Sequence, residues 1–397
     1  MLSPVTSFQA QPCRLLPPAL VCSIGDDLAA ITDALFNGRR GLVYDDVFTP
    51  GRSLPLGRVT TALPDARDLP PEHRSRNNQL LAAALERLAP TLDAFRKRSP
   101  QARIGVVLGT STSGIGETEM AVGERMKEGK WPSDFHYQRH EIGSPAKFIA
   151  ERLGLEGPAY TLSTACTSSA RSLASAKRLL TSGICDAVIA GGADSLCGLT
   201  VNGFASLEAL SDHPSQPFSA NRDGINLGEA AALFLVTAET GGIQLSGYGE
   251  SSDAHHISAP RPDGQGAIRA IQAALKMAQL PATAIDYLNL HGTATRQNDS
   301  MEAIAVAHIF GDKLPCSSTK ALTGHTLGAC GALEAAFCWL TLNAGRLPPQ
   351  VHDGEIDPQL PSLNYATATQ HDCHRAVSNA FAFGGNNIAL LLERFNE

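Results

Sequence analysis

The sequence of 397 residues carries the same punctuation twice, in the same order. Residues 103–108 (RIGVVL) form a short apolar, β-branched run that ends in Gly109-Thr110-Ser111-Thr112. Residues 285–290 (IDYLNL) form a similar run that ends in His291-Gly292-Thr293-Ala294-Thr295. Residues 160–164 (YTLST) then lead into Ala165-Cys166-Thr167-Ser168-Ser169-Ala170 and a stretch rich in Ala and Ser. Their counterpart passes from Cys316-Ser317-Ser318-Thr319-Lys320 into Gly324-His325-Thr326-Leu327-Gly328-Ala329 and another small-residue stretch. Each half also sets a strand beside a double glycine, 187–190 before Gly191-Gly192 and 388–392 after Gly384-Gly385. Strand-like runs alternating with helical stretches, repeated at nearly one period, predict a duplicated α/β unit. Its halves are placed at 1–240 and 241–397.

Two stretches predict how the halves pack. Residues 172–180 (SLASAKRLL) and 331–340 (GALEAAFCWL) are small or apolar around much of the helical circumference, as in a helix buried on all sides. Small side chains let two such helices touch. The expected body is therefore α/β in five layers, α-β-α-β-α, with this helix pair between two sheets. Segments 79–92 and 266–279 are more polar and periodic and read as surface helices. The long polar excursion 110–143 reads as a cap or dimer-contact insertion.

Composition narrows the function. The formal net charge of −7 argues against a nucleic-acid backbone as partner. Nine cysteines, an odd number with no Cys-x-x-Cys pair, do not make a disulfide framework, so a reducing cytoplasm is expected. No apolar run reads as a membrane span. Residues 15–22 (LLPPALVC) superficially resemble a leader with a lipidation cysteine, but they lack a basic start and set bulky Val21 before Cys22. His136 and His140 have helical metal-ligand spacing, and His371-Asp372-Cys373-His374 is ligand-rich. Neither has partner ligands at motif spacing, so no metal is expected. Gly114-Ile115-Gly116 lacks the third glycine of a dinucleotide fingerprint.

The candidate chemistry sits at matched points of the repeat. Cys166 follows a strand and opens a buried helix, where the helix dipole and unpaired amides favour a thiolate. A cysteine in an apolar segment is ordinarily a small core residue, and the other cysteines get that reading. His291 ends a strand, His325 heads the second buried helix and Lys320 precedes it. Each alone is as well explained by a structural hydrogen bond or a solvated loop. In a pseudo-twofold body, however, Cys166, His291 and His325 converge, giving one nucleophile and two imidazole donors.

With these residues the chain resembles a β-ketoacyl-acyl carrier protein synthase, the condensing-enzyme branch of the thiolase-like fold. Thr164-Ala165-Cys166-Thr167-Ser168-Ser169 resembles the family's nucleophile motif, and His291-Gly292-Thr293-Ala294-Thr295 its first histidine motif. Ser318-Thr319-Lys320 through Gly324-His325 and Gly328-Ala329 resembles the lysine and second-histidine motif. Residues 379–387 (NAFAFGGNN) resemble the glycine-rich gate, and Arg222-Asp223-Gly224 with Gly228-Glu229 fits a further block. The chain departs from the family pattern at Pro17-Pro18-Ala19, at Ala382 in the gate, and at Arg296 and Asn298 after the first histidine motif. Two histidines imply an elongating synthase. The block 74–78 (RSRNN) and Thr110-Ser111-Thr112-Ser113 are similar to those of aryl-polyene-type ketosynthases.

The resemblance implies a decarboxylative Claisen condensation with no cofactor beyond the 4'-phosphopantetheine that carries the substrates. Cys166 takes the acyl chain, the Cys166 and Phe381 amides cradle the oxyanion, and Phe381, Phe383, Gly384 and Gly385 form the gate. His291 and His325 stabilise the enolate left when malonyl loses CO2. Lys320 orients the site and pairs with Glu302, supported by Asp299, while Thr293 and Thr295 hold the phosphopantetheine. The implied partners are an acyl carrier protein, docked on Arg74, Arg76, Lys127 and Lys130, and either a second copy or a chain-length-factor-like homologue. The alternatives are a silent partner subunit, a thiolase acting on coenzyme A esters and a hydrolase. The intact Cys-His-His set opposes the first, and the setting of Cys373 opposes the second.

Overall fold

A computed structural model describes residues 11–396, so the first ten residues of the half taken as 1–240 lie outside the described residues. The strands of each half pair in one pattern. In the first, the parallel trio Ala159–Leu162, Ile104–Gly109 and Ala187–Asp194 continues antiparallel into Ala230–Thr237 and then Ala19–Cys22. In the second, the parallel trio Pro315–Ser317, Tyr287–Asn289 and Arg375–Ala382 continues antiparallel into Asn386–Phe395 and then Gly242–Ser252. The short strand Arg14–Leu15 pairs with both Ala230–Thr237 and Gly242–Ser252 and so joins the two units into a 12-stranded sheet. Pro17 and Pro18, which have no N–H to give a ladder, separate this strand from Ala19–Cys22. The chain thus adopts the duplicated, layered α/β architecture.

One of the echoes is not an equivalence. Gly191 and Gly192 lie inside the strand Ala187–Asp194, whereas Gly384 and Gly385 follow the matching strand Arg375–Ala382 in a turn. A Cβ on Gly191 would stand 1.9 Å from the Ala232 carbonyl oxygen, and one on Gly192 would stand 2.3 Å from that of Gly109. Gly384 and Gly385, like Gly191 at φ 149°, take positive φ, 80° and 72°, which side chains disfavour.

Helices Ser168–Thr181 and Cys330–Ala344 fill the middle layer, and they touch where both are small: a Cβ on Gly331 would stand 2.6 Å from that of Ala170. Their side chains belong to one core cluster with Val188, Phe234, Leu390 and Leu392 from the strands of the two halves. Residues Leu327–Ala344 are long and apolar enough to cross a membrane by length and composition, contrary to the sequence reading, and 89% of that window is buried inside the protein. The central layer itself demands that apolar length. Of the outer helices, Gln265–Ala278 runs close to its expected bounds, while Arg76–Arg98 is longer and buries Leu80, Leu81, Leu85, Leu88 and Leu92 in a second cluster.

The excursion at 110–143 is not polar surface throughout. Thr110, Thr112 and Ser113 are buried, and the exposed part is the helix Ile115–Glu128 and the loop after it, with Met120, Met126, Trp131 and Tyr137 open to solvent. His136 is extended, with φ −130°, ahead of a short 3-10 turn, so it has no helical spacing to His140. In the other histidine cluster Cys373 is buried while His374 and Arg394 both pair with Asp372, a local ion-pair group.

Candidate active site

Cys166, His291 and His325 meet where the two middle-layer helices begin. The turn before Cys166 places Ala165 at φ 53°, held by Thr164 N–H donating to Ser168 Oγ at 2.9 Å and by Ser168 Oγ donating to the Ala165 carbonyl at 2.6 Å. This strained step projects the Cys166 sulfur to 3.0 Å from His325 Nε2. The His291 and His325 rings stand edge to face with centroids 5.4 Å apart. A cavity of about 510 Å³ opens onto all three, and Thr293, Thr295, Phe381 and Phe383 also line it. The two threonine hydroxyls lie 3.0 Å apart.

Lys320 is buried with its Nζ 3.2 Å from His291 Nδ1, and its ion-pair partner is Glu334. That corrects the expected pairing with Glu302. Glu302 accepts the backbone N–H groups of His291 at 2.8 Å and Gly292 at 2.7 Å, and the Asn379 side-chain amide at 3.1 Å. With its oxygens spent on the turn, it fixes the histidine motif's backbone. Asp299 does the same for the next step, accepting from Ala294 N–H at 3.2 Å, where φ is 66°, and from Phe218 N–H at 2.8 Å.

Burial governs the charges. It pushes the Cys166 thiol up to about 12, with Lys320 pulling the other way, so the resting group is a thiol and the helix dipole does not by itself make a thiolate. Burial first, then Lys320, hold both histidines well below their ordinary value, so both are neutral. Burial alone would lower Lys320, but Glu334 raises it above its ordinary value and keeps it an ammonium. An ammonium can only donate, so His291 Nδ1 accepts and its proton sits on Nε2. Donor atoms of Cys166, His291 and His325 lie within 4.8 Å of one another, as do those of His291, Cys330 and Glu334. A metal ion would fit those spacings, yet the Nε2 proton makes His291 a donor there, and Glu334 is committed to Lys320.

The gate differs from expectation in the amide it offers the sulfur. The backbone N–H groups that favour a charged Cys166 sulfur are those of Cys166 and Phe383, and the Phe381 amide is not among them. Phe381 still belongs to the strand Arg375–Ala382 and presents its ring to His291 at 6.0 Å; the turn that brings an amide to the sulfur begins at Phe383. Gly384 N–H donates to the Ile257 carbonyl at 2.7 Å, and the Phe383 ring packs on Phe204 at 5.5 Å. Ala382 is extended, with φ −130° and ψ 156°, so alanine is not strained there. Ala382→Gly should therefore leave acyl-enzyme formation unchanged across a series of chain lengths; a broadened profile would show that alanine does stiffen the gate.

The four basic residues do not form one group. Arg76 is committed internally, holding the fully buried Glu229 carboxylate through Nε at 2.8 Å and Nη2 at 2.5 Å. Arg74 donates to the Leu69 carbonyl at 3.0 Å, and only Lys127 and Lys130 are openly exposed. Conversely, two buried acids escaped the sequence reading. Asp194 accepts from Thr110 Oγ1 at 2.9 Å, from Ser111 and Thr112 N–H at 2.7 Å, and from Ala329 N–H at 3.0 Å, tying the two halves together below the cysteine. Glu334 is the single charged residue of the helix Cys330–Ala344, and that isolation was its available signal.

The chain matches "Beta-ketoacyl synthase, N-terminal domain" over residues 75–240 and "Beta-ketoacyl synthase, C-terminal domain" over 243–353. It is 36% identical over 317 residues to a 3-oxoacyl-[acyl-carrier-protein] synthase 2 of Rhizobium meliloti, covering 74% of this chain and 75% of that one. The chain belongs to the β-ketoacyl synthase family. It functions as an elongating 3-oxoacyl-[acyl-carrier-protein] synthase, an acyltransferase of fatty acid or polyketide synthesis. Among solved structures, this ketosynthase matches a chain of the ketosynthase ApeO in complex with its chain length factor ApeC from Xenorhabdus doucetiae. That match has a TM-score of 0.91 and 44% identity over 98% of this chain and 100% of that one. A second match is to the ishigamide ketosynthase/chain length factor, with a TM-score of 0.88 and 25% identity over 98% and 100% of the two chains.

Proposed function

We propose that this ketosynthase uses Cys166 as its acyl-carrying nucleophile and His291 with His325 as the donors that stabilise the malonyl-derived enolate. The observation that carries this is Lys320 Nζ at 3.2 Å from His291 Nδ1, beside a cysteine within 3.0 Å of the second histidine. A buried ammonium behind His291 fixes the tautomer that donates from Nε2. In the first half-reaction the Cys166 sulfur displaces the carrier's pantetheine thiol, whose sulfur leaves with the cysteine proton, and the Cys166 and Phe383 amides stabilise the oxyanion. In the second, C–C cleavage releases CO2, the electron pair becomes an enolate held by the two histidines, and its carbon attacks the acyl-cysteine carbonyl. The C–S bond breaks, the β-ketoacyl chain stays on the carrier, and the Cys166 thiolate leaves and takes a proton from solvent. Decarboxylation supplies the carbanion, so the scheme requires no metal or redox cofactor. Thr293 and Thr295, at the cavity wall, would bond the phosphopantetheine arm.

The halves at 1–240 and 241–397 would then divide the labour, one bringing the nucleophile and the other both histidines. The similarity to a chain of a ketosynthase–chain length factor complex supports a heterodimer in an aryl-polyene-type pathway, with the exposed Met120, Met126, Trp131 and Tyr137 of 110–143 as subunit contact. Lys127 and Lys130 remain as docking residues for an acidic acyl carrier protein. Nine free cysteines support work in a reducing cytoplasm. Intact-protein mass spectrometry tests the reading. An acyl-carrier protein should add one acyl group, and malonyl-carrier protein should then remove it as a β-ketoacyl thioester. Loss of that group as free acid would identify a hydrolase, and no acyl adduct at all would identify a silent subunit.

A further inference from the structure

Cys330 is the first residue of the helix Cys330–Ala344, is buried, and donates its thiol hydrogen to the backbone carbonyl of Cys166 at 3.2 Å. Four residues on, and so on the same helix face, Glu334 neutralises Lys320. We propose that Cys330 is a positioning residue for the nucleophile, so that one face of this helix holds the acyl-transfer group through Cys330 and the enolate-stabilising group through Glu334. The inference rests on the reading of Cys166 as nucleophile. The need for such a tie lies in the Cys166 turn. Ala165 sits at φ 53°, and the side-chain bonds around it come from within the turn: Thr164 to Ser168, Ser168 to Ala165, and Thr167 to Thr164 at 2.7 Å. The Cys330 bond instead runs to Cys166 itself from the other half of the protein. The neighbouring contact, Ala332 N–H to Ser169 Oγ at 2.8 Å, joins the same two helices two residues further along Cys330–Ala344. Burial and the Glu334 charge hold the Cys330 thiol well above its ordinary value, so it stays protonated and able to donate.

The test measures the two half-reactions separately in the full-length chain, with Tm recorded for each variant. One readout is acyl-enzyme formation from an acyl-pantetheine thioester; the other is CO2 release from malonyl-carrier protein. Cys330→Ala removes the donor and should slow acyl-enzyme formation roughly 3- to 10-fold, the range of one hydrogen bond, with CO2 release unchanged. Cys330→Ser keeps a donor at that position and should restore acylation. Acylation at the wild-type rate in Cys330→Ala, equal loss in both half-reactions, or failure of serine to rescue would each overturn the proposal. Cys166→Ala is run alongside: if that variant still forms acyl-enzyme, the reading of Cys166 itself fails, a result distinct from any outcome at Cys330.

Discussion

Cys166→Gln is expected to abolish acyl-enzyme formation while CO2 is still released from malonyl-carrier protein. The substitution removes the sulfur and leaves His325, His291 and the Lys320–His291 contact in place. Acylation should fall by at least roughly 10⁴-fold, as when a nucleophile acting as part of a unit is lost, and decarboxylation should stay within about tenfold of wild type. His291→Ala should show the converse, with CO2 release down roughly 10²- to 10³-fold and acyl-enzyme still formed, because one enolate donor is lost and the thiol is not. Acyl transfer should also rise with pH from neutrality upward, since burial holds the Cys166 thiol up to about 12 and the reactive thiolate is the minor form below that. The scheme is wrong if Cys166→Ala still elongates an acyl chain, or if every single substitution reduces both half-reactions alike.

Matched punctuation marked the duplicated body and the convergence of Cys166, His291 and His325, because short strands and the turns after them leave local signals. What did not show was partner choice. Glu302 and Glu334 both lie near Lys320, and only the packing of the middle-layer helix decides which acid reaches the ammonium. Arg76 looked like a surface base, because nothing in its own segment announces Glu229, 153 positions away. Phe381 and Phe383 are two residues apart, and which amide reaches the sulfur depends on where the strand ends, a boundary that local pattern does not fix. The thiolate expectation failed for a related reason: helix position is written in the sequence, whereas desolvation is set by everything packed around the sulfur.

Glu334→Gln should damage decarboxylation and stability together, and the two effects can be separated. Lys320 and Glu334 are both buried, so removing the carboxylate leaves an uncompensated ammonium in the middle layer, at a cost of about 3–5 kcal/mol. Burial then acts on Lys320 without its main opposing charge, and the lysine pKa moves from above its ordinary value to below it. A neutral amine no longer has to donate to His291 Nδ1, so the tautomer with a proton on Nε2 loses its enforcement. The alkaline limb of CO2 release should therefore move to lower pH in Glu334→Gln, while acyl transfer, which loses the Lys320 charge that favours the Cys166 thiolate, should still rise with pH but lie below wild type at each pH. The double variant Lys320→Met with Glu334→Leu removes both charges and fills the space with apolar atoms, so its Tm should recover toward wild type. Its decarboxylation should not recover, because nothing then fixes His291. Recovery of both would mean that the pair only supports the fold, and an unmoved alkaline limb in Glu334→Gln would mean that Lys320 does not set the histidine's proton.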